Sequence, residues 1–170
     1  MNTIPLTFGI TGHRDPRTED LELLRKQVRK VFKLLQQHCP NTTLQLLSPL
    51  AEGADSLVAE VALEENIQLI VPLPMPQSIY EQEFDGQAKQ KFRDLLKQAS
   101  QIFTLPLTEG NTETNIVELN EHRTQQYALV GAFIARHSHI LIALWDGVLL
   151  DKMAGTAQVV QFKRTGYMQG

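Results

Sequence analysis

Apolar residues form five short, nearly continuous runs along the chain, separated by stretches in which apolar residues recur every three or four positions. The runs cover residues 6–10, 44–47, 67–71, 101–105 and 140–144. Runs of this length predict strands that are covered on both faces of a sheet. Pro72 and Pro74 follow the third run and are expected to end that strand.

The spaced apolar positions predict helices between the strands. The first helix is expected to begin near Thr18 and to end at Pro40. Its buried stripe comprises Leu21, Leu24, Val28, Val31 and Leu35. Further helices are marked by residues 57–62, 80–99 (with an expected break near Gly86), 127–134 and 159–162. The segment 106–120 is polar and aperiodic, so it is either a lid or solvated filler.

Strand and helix patterns alternate along the whole chain. Such alternation requires crossover connections, which are right-handed and place helices on both faces of a parallel sheet. The sequence therefore predicts one α/β domain over residues 1–170, with three layers and a mostly parallel sheet of five or more strands. A sixth strand after the last helix would require a longer protein.

Length, charge and composition disfavour several classes of protein for this chain. The chain has 170 residues and a formal net charge of -3, which disfavours the basic face of a nucleic-acid-binding protein. Its one cysteine, Cys39, cannot form an internal disulfide. The sequence contains no apolar run long enough to span a membrane and no signal peptide, so a cytoplasmic location is predicted. The histidines have no spacing that predicts a metal site.

Glycines concentrate in the loops that leave the predicted strands, where open parallel sheets bind their ligands. Gly12 follows the first strand, Gly53 precedes the second helix, and Gly155 with Thr156 precedes the last helix. A helix amino terminus offers unpaired N–H groups to an anion, and glycine allows close approach to the backbone. Each glycine and threonine could equally be a routine helix cap.

Two basic residues of the first loop are candidates for ligand contacts. His13 and Arg14 could polarise a bound group, which makes Arg14 one candidate for a catalytic role. As an alternative, Arg14 could simply pair with Asp15 or Asp55.

Carboxylates and one aromatic residue complete the candidate site. Glu52 and Asp55 could bind a ribose hydroxyl or act as a general base, although Asp55 could instead be a first-turn helix acid. Trp145 could stack on a base or close the edge of the sheet, and Asp146 could accept a hydrogen bond from a hydroxyl. The phosphate-binding loop with an invariant lysine is absent.

Three of these motifs together resemble the SLOG superfamily. They are Gly-Ile-Thr-Gly-His-Arg at 9–14, Ser-Pro-Leu-Ala-Glu-Gly-Ala-Asp at 48–55, and Ala-Gly-Thr at 154–156. The second is similar to a loop of DNA-processing protein A, and the third to the phosphate loop of the Lonely-guy phosphoribohydrolases. The likeness extends from the first strand to the last helix and implies a Rossmann-like fold with a nucleotide or nucleotide derivative as ligand.

The resemblance also implies positions for the ligand. It places Gly12, Gly53, Gly155 and Thr156 along the phosphates, Ser48 and Glu52 beside them, and Trp145 and Asp146 at the rim. Where the Lonely-guy motif carries a pair of glutamates for glycosidic cleavage, this chain has Gln158 and Val159. Binding without catalysis is therefore favoured, and Glu52 is the carboxylate that could substitute.

Three functional hypotheses follow. The first is a domain that binds or senses a nucleotide and requires no cofactor. The second is an N-glycosidic hydrolase that acts on a nucleotide or an NAD-like compound, for which a carboxylate with a raised pKa is expected near the ribose. The third is a DNA-binding relative of DNA-processing protein A, which the acidic balance disfavours. Apolar residues on the outer helices favour a homo-oligomer.

Overall fold

The computed structural model describes residues 4–148 and 153–167. Within these residues the strands are β1 Leu6–Gly12, β2 Leu44–Leu47, β3 Gln68–Leu73, β4 Gln101–Thr104 and β5 Ile140–Leu144. They form one sheet in the order β4-β3-β2-β1-β5, and every neighbouring pair is parallel. The predicted Rossmann-like α/β class is confirmed.

Helices cover both faces of this sheet. They are α1 Leu21–His38, α2 Ala54–Glu64, the single turn α3 Gln77–Tyr80, α4 Gly86–Gln98, α5 Glu121–His137 and α6 Thr156–Thr165. Helices α1, α2 and α4 pack together on one face, and α5 packs against α6 on the other. In the described parts of the chain, no helix is long and apolar enough to cross a membrane.

The alternation of side chains along the strands divides the core into two clusters. The larger lies beneath α1, α2 and α4 and includes Phe8, Leu46 and Leu69. The smaller lies against α5 and includes Leu47 and Ile134. Because both faces are covered, the strands are apolar on both sides, as the continuous runs in the sequence predicted.

Strand β3 does not end where the sequence predicted. It continues through Pro72 to Leu73, and Pro72 lies opposite Phe103 of β4. Strand β2 pairs with β3 only as far as Ile70, so a proline beyond that point removes no hydrogen bond on the β2 side. Strand β1 is also longer than predicted, because Gly12 pairs with β5.

The buried stripe of α1 contains one residue other than those predicted. Val31 is 40% exposed, whereas Phe32 is fully buried against Phe8. Phe32 lies four residues after Val28, which keeps the stripe on one face of a helix with 3.6 residues per turn. The expected break near Gly86 is confirmed, because α4 begins there and Gly86 has a positive φ of 47°.

Candidate functional site

A cleft opens at the point where the connections of the sheet diverge. The chain leaves β1 toward β2 on one side, while β5 lies on the other side of β1. Open α/β sheets bind ligands at such a point, beyond the carboxyl ends of the strands. Here a cavity of about 470 Å³ is lined by Gly12, Arg14, Asp55, Tyr80, Tyr127, Trp145, Gly155 and Thr156, among others. We call it the switch-point cleft.

The amino terminus of α6 forms one wall of the switch-point cleft. Helix α6 begins at Thr156, and its N-cap residue is Gly155. Because glycine has no side chain, Gly155 makes no side-chain capping hydrogen bond. Gly155, Thr156 and Ala157 all line the cavity. The first N–H groups of an α-helix have no partner inside the helix, so this wall presents hydrogen-bond donors and the positive end of the helix dipole.

Gln158 lies in the first turn of α6 and contacts the loop that precedes this helix. Its Oε1 accepts a hydrogen bond from the Ala154 N–H at 2.7 Å, and Ala154 adopts a positive φ of 61°. The side chain at the position where the Lonely-guy motif carries a glutamate therefore stabilises its own loop.

The amino terminus of α2 is filled by protein. Gly53 has a positive φ of 84°, and a Cβ added there would lie 2.2 Å from the Arg14 carbonyl oxygen. The Ala54 N–H donates to the His13 carbonyl oxygen at 3.0 Å. The loop after β1 thus occupies the position that an anion would take, and Gly53 is required for that close approach.

Gly12 lies on the cleft wall, but its small size is also demanded by packing. An added Cβ would lie 2.4 Å from the Ala54 Cβ and 2.8 Å from the Leu144 carbonyl oxygen. Gly12 therefore lets β1, β5 and the start of α2 converge, and this convergence forms the floor of the switch-point cleft.

Three of the predicted site residues lie elsewhere. Ser48 is fully buried, and its Oγ accepts a hydrogen bond from the Leu50 N–H at 3.1 Å, where Leu50 has a positive φ of 59°. Glu52 is exposed and, with Gly53, lines a second groove of about 650 Å³ between α1, α2 and α4. The structure does not bring Ser48, Glu52 or Gly53 into the switch-point cleft.

Asp55 is the buried carboxylate that lines the cleft, and the exposed Asp15 lines it as well. It is 7% exposed, and its carboxylate accepts a hydrogen bond from the Ala51 N–H. Burial raises the pKa of Asp55 to about 7, and the Ala51 N–H and the charge of Arg14 oppose this shift only in part. Burial and the nearby Asp55 also raise the pKa of Tyr80, which lines the same cavity.

Arg14 pairs with neither Asp15 nor Asp55. Its Nη2 donates to Oε2 of Glu83 at 2.8 Å, and its guanidinium lies 5.7 Å from the centre of the Tyr127 ring. Glu83 belongs to a short helical turn between α3 and α4, and no pattern in the sequence indicates that it reaches the loop after β1. Tertiary packing brings them together.

Glu83 is shared with a second arginine. Its Oε1 accepts from Nε of Arg123 at 3.0 Å and from the hydroxyl of Tyr127. Nη1 of Arg123 donates to the carbonyl oxygens of Ile116 at 2.7 Å and Val117 at 3.0 Å. The segment 106–120 is therefore anchored to α5 along its carboxyl-terminal half.

The rim of the cleft joins the loops that follow β1 and β5. Nε2 of His13 lies 3.4 Å from Oδ1 of Asp146. The Val148 N–H, and secondly His13, lower the pKa of Asp146. Trp145 lines the cavity and its Nε1 donates to the Val148 carbonyl oxygen at 3.2 Å.

Sequence reasoning missed four residues of this site: Tyr80, Glu83, Arg123 and Tyr127. The two tyrosines were assigned to apolar helix stripes without a functional role. A usable signal was present in α5, since Arg123 lies four residues before Tyr127 and therefore on the buried face of the helix. A buried arginine requires a partner, and that partner is Glu83.

Comparison with known proteins shows the fold and leaves the family open. No family model matches the sequence, and no curated protein matches it. A solved structure of DNA processing protein A from Streptococcus pneumoniae is similar, with a TM-score of 0.60 and 14% sequence identity. The match covers 94% of this chain and 47% of that one, so the chain spans about half the length of the protein it resembles.

Proposed function

We propose that the switch-point cleft binds a nucleotide or nucleotide derivative, as a member of the SLOG superfamily would. The observation that carries this proposal is the amino terminus of α6, whose N-cap residue Gly155 makes no side-chain capping hydrogen bond and which lines a cavity of about 470 Å³. Backbone N–H groups at a helix start bind phosphate readily. The cavity volume lies within the range of small-molecule sites, about 300–1,000 Å³.

Two aromatic side chains supply a surface for the rest of the ligand. Trp145 and Tyr127 both line the switch-point cleft, and Trp145 follows β5 directly. Aromatic rings stack on bases, and each stacked base contributes about 1–3 kcal/mol. A nucleotide in the cleft would then have its phosphate at the start of α6 and its base near Trp145 or Tyr127.

A thermal-shift screen tests the proposal. The panel contains AMP, ADP, ATP, GMP, NAD, ADP-ribose, cyclic nucleotides and a single-stranded oligonucleotide. A ligand at a hundred times its Kd adds about 2.7 kcal/mol to the free energy of unfolding. For a chain of this size, we expect Tm to rise by roughly 5–10 °C.

A matched pair of variants assigns the shift to α6. Gly155→Asp places a carboxylate where the phosphate would lie, and aspartate is a favoured N-cap residue, so the fold is retained. Thr18→Asp makes the same charge change at another helical turn, outside both cavities. We expect Gly155→Asp alone to abolish the shift. A shift that survives Gly155→Asp overturns the assignment, and a shift with the oligonucleotide alone favours the DNA-binding alternative.

Asp55 favours a second candidate function, the cleavage of an N-glycosidic bond. This activity requires a carboxylate that can donate or accept a proton near the ribose. Asp55 lines the cleft and its pKa is raised to about 7, whereas Glu52 lies in the other groove. If cleavage occurs, Asp55 is the residue expected to carry it.

Release of free base tests this second function. Each nucleotide that stabilises the protein is incubated with it, and the products are separated by chromatography. Asp55→Asn is expected to bind the nucleotide but to release no base, and Glu52→Gln is the control that retains the activity. Binding without base release by the unmodified protein supports a pure binding role.

A further inference from the structure

The pairing of charges beside the switch-point cleft is incomplete. Two guanidinium groups, those of Arg14 and Arg123, share the single carboxylate of Glu83. In the described residues, neither arginine lies within ion-pair distance of another carboxylate. With Tyr127 neutral, the cluster of Arg14, Glu83 and Arg123 carries one excess positive charge.

This excess charge is exposed only at Arg14. The side chain of Arg123 is 3% exposed, and its hydrogen bonds to Glu83, Tyr127 and two carbonyl oxygens fix it in place. The side chain of Arg14 is 55% exposed, lines the cleft, and makes one described hydrogen bond, to Glu83. A guanidinium has five N–H donors, so Arg14 retains donors for an additional anion.

Asp55 is the buried group inside the cleft that could neutralise Arg14, and the exposed Asp15 also lines the cleft. The two side chains interact electrostatically, and both line the cavity. The other titratable groups that act on Asp55 and Arg14 are Tyr80 and Glu83, and His13 lies in the adjoining loop. When Asp55 is protonated, it offers no negative charge to Arg14 inside the cleft. When Asp55 ionises, its carboxylate opposes the entry of another anion.

We propose that Arg14 binds the anionic group of the ligand, that Glu83 positions its guanidinium for this, and that anion binding requires Asp55 to be protonated. This inference rests on the proposed nucleotide site and specifies how that site selects its ligand. Linkage is reciprocal, so a ligand favoured by the neutral acid also raises the pKa of Asp55. Affinity for a phosphate-bearing ligand should therefore fall as pH rises through about 7.

The probes are AMP and adenosine, and their Kd values are measured by titration calorimetry at pH 6 and pH 8. The proteins are the unmodified chain, Arg14→Gln, Asp55→Asn and Glu83→Gln. Arg17→Gln is the control, because this exposed arginine pairs with Asp20 and lines neither cavity. The titration of the AMP phosphate is common to the proteins compared, so it cancels in ratios of Kd.

We expect Arg14→Gln to weaken AMP at pH 6 about tenfold or more and to leave adenosine unchanged. The affinity of the unmodified chain for AMP, divided by that of Asp55→Asn, should fall at least about fivefold from pH 6 to pH 8, within the usual range of coupling between sites. Glu83→Gln raises the excess positive charge of the cluster from one to two, so a purely electrostatic role of Glu83 would increase the preference for AMP over adenosine. Loss of the contact that positions Arg14 should instead reduce this preference, and a purely structural role would lower stability and keep it.

The outcomes separate this inference from the function on which it rests. If AMP binds but Arg14→Gln affects AMP and adenosine equally, or the ratio for Asp55→Asn does not change with pH, the inference fails and the nucleotide site stands. If neither AMP nor adenosine binds any of the proteins, the inference is overturned together with the assignment of a nucleoside monophosphate to the cleft.

Discussion

Two loops of this protein look alike in sequence and differ in what the fold does with them. Gly53 precedes α2 and Gly155 precedes α6, and each follows a strand of the same parallel sheet. The start of α2 is filled by the His13 carbonyl oxygen, whereas the start of α6 lines the switch-point cleft. A glycine at a helix start can therefore serve packing or ligand binding, and its neighbours in space decide which.

The position of each strand in the sheet explains the difference. Strand β2 lies beside β1, so the loop that leaves β1 reaches the start of α2. Among the described strands, β5 lies at the edge of the sheet, next to β1. In the described residues, no carbonyl oxygen of another strand loop accepts a hydrogen bond from the start of α6, which lines the cavity.

The largest expected effect comes from a methyl group at Gly53. Gly53→Ala places a Cβ 2.2 Å from the Arg14 carbonyl oxygen at a φ of 84°, so we expect a loss of about 3 kcal/mol or more in the free energy of unfolding. Gly155→Ser, at a φ of -80°, should stay within about 0.5 kcal/mol of the unmodified protein. Urea unfolding measures both, and equal losses would contradict the distinction between the loops.

The next effect is the pH dependence of stability that Asp55 introduces. The pKa of Asp55 is raised from 3.8 to about 7 by folding. The stabilisation from the neutral buried acid is complete below about pH 4 and is lost as pH rises to about 7, because the unfolded chain releases its proton first. Between pH 5 and pH 8, the unmodified chain should lose about 2 kcal/mol more than Asp55→Asn does.

Urea unfolding at the two pH values measures this difference. Asp94→Asn is the control, since Asp94 is an exposed carboxylate of α4 whose pKa is lowered by Gln90 and Lys97. Its stability should change with pH between 5 and 8 as that of the unmodified chain does. Parallel pH profiles for Asp55→Asn and the unmodified chain would show that Asp55 is ionised in the folded protein well below pH 7.

The smallest expected effect separates two hydroxyl groups of these loops. Ser48→Ala removes the buried acceptor of the Leu50 N–H and should cost about 1 kcal/mol of stability without changing ligand affinity. Thr156→Val should leave stability within about 0.5 kcal/mol and weaken a phosphate-bearing ligand a few-fold. Urea unfolding and titration calorimetry on both variants measure the two effects. If Ser48→Ala weakens the ligand and Thr156→Val does not, the ligand lies at the start of α2 instead.

The sequence by itself determined the architecture. Continuous apolar runs and helical spacing predicted the alternating strands and helices, because a strand covered on both faces needs apolar residues on both sides. The errors were local. Pro72 remains within β3 because one neighbouring strand ends first, and Val31 is exposed because the apolar stripe of α1 passes through Phe32. These outcomes depend on register and packing.

Tertiary structure decided which of the predicted residues meet in one cavity. Gly12, Arg14, Asp55, Trp145, Gly155 and Thr156 share the switch-point cleft, with His13 and Asp146 bridging its rim, while Ser48, Glu52 and Gly53 lie outside it. The buried partner of Arg14, Glu83, lies 69 positions away along the chain. Spacing in sequence fixes the local backbone, but the charge that faces a guanidinium and the space before a helix depend on which strands become neighbours.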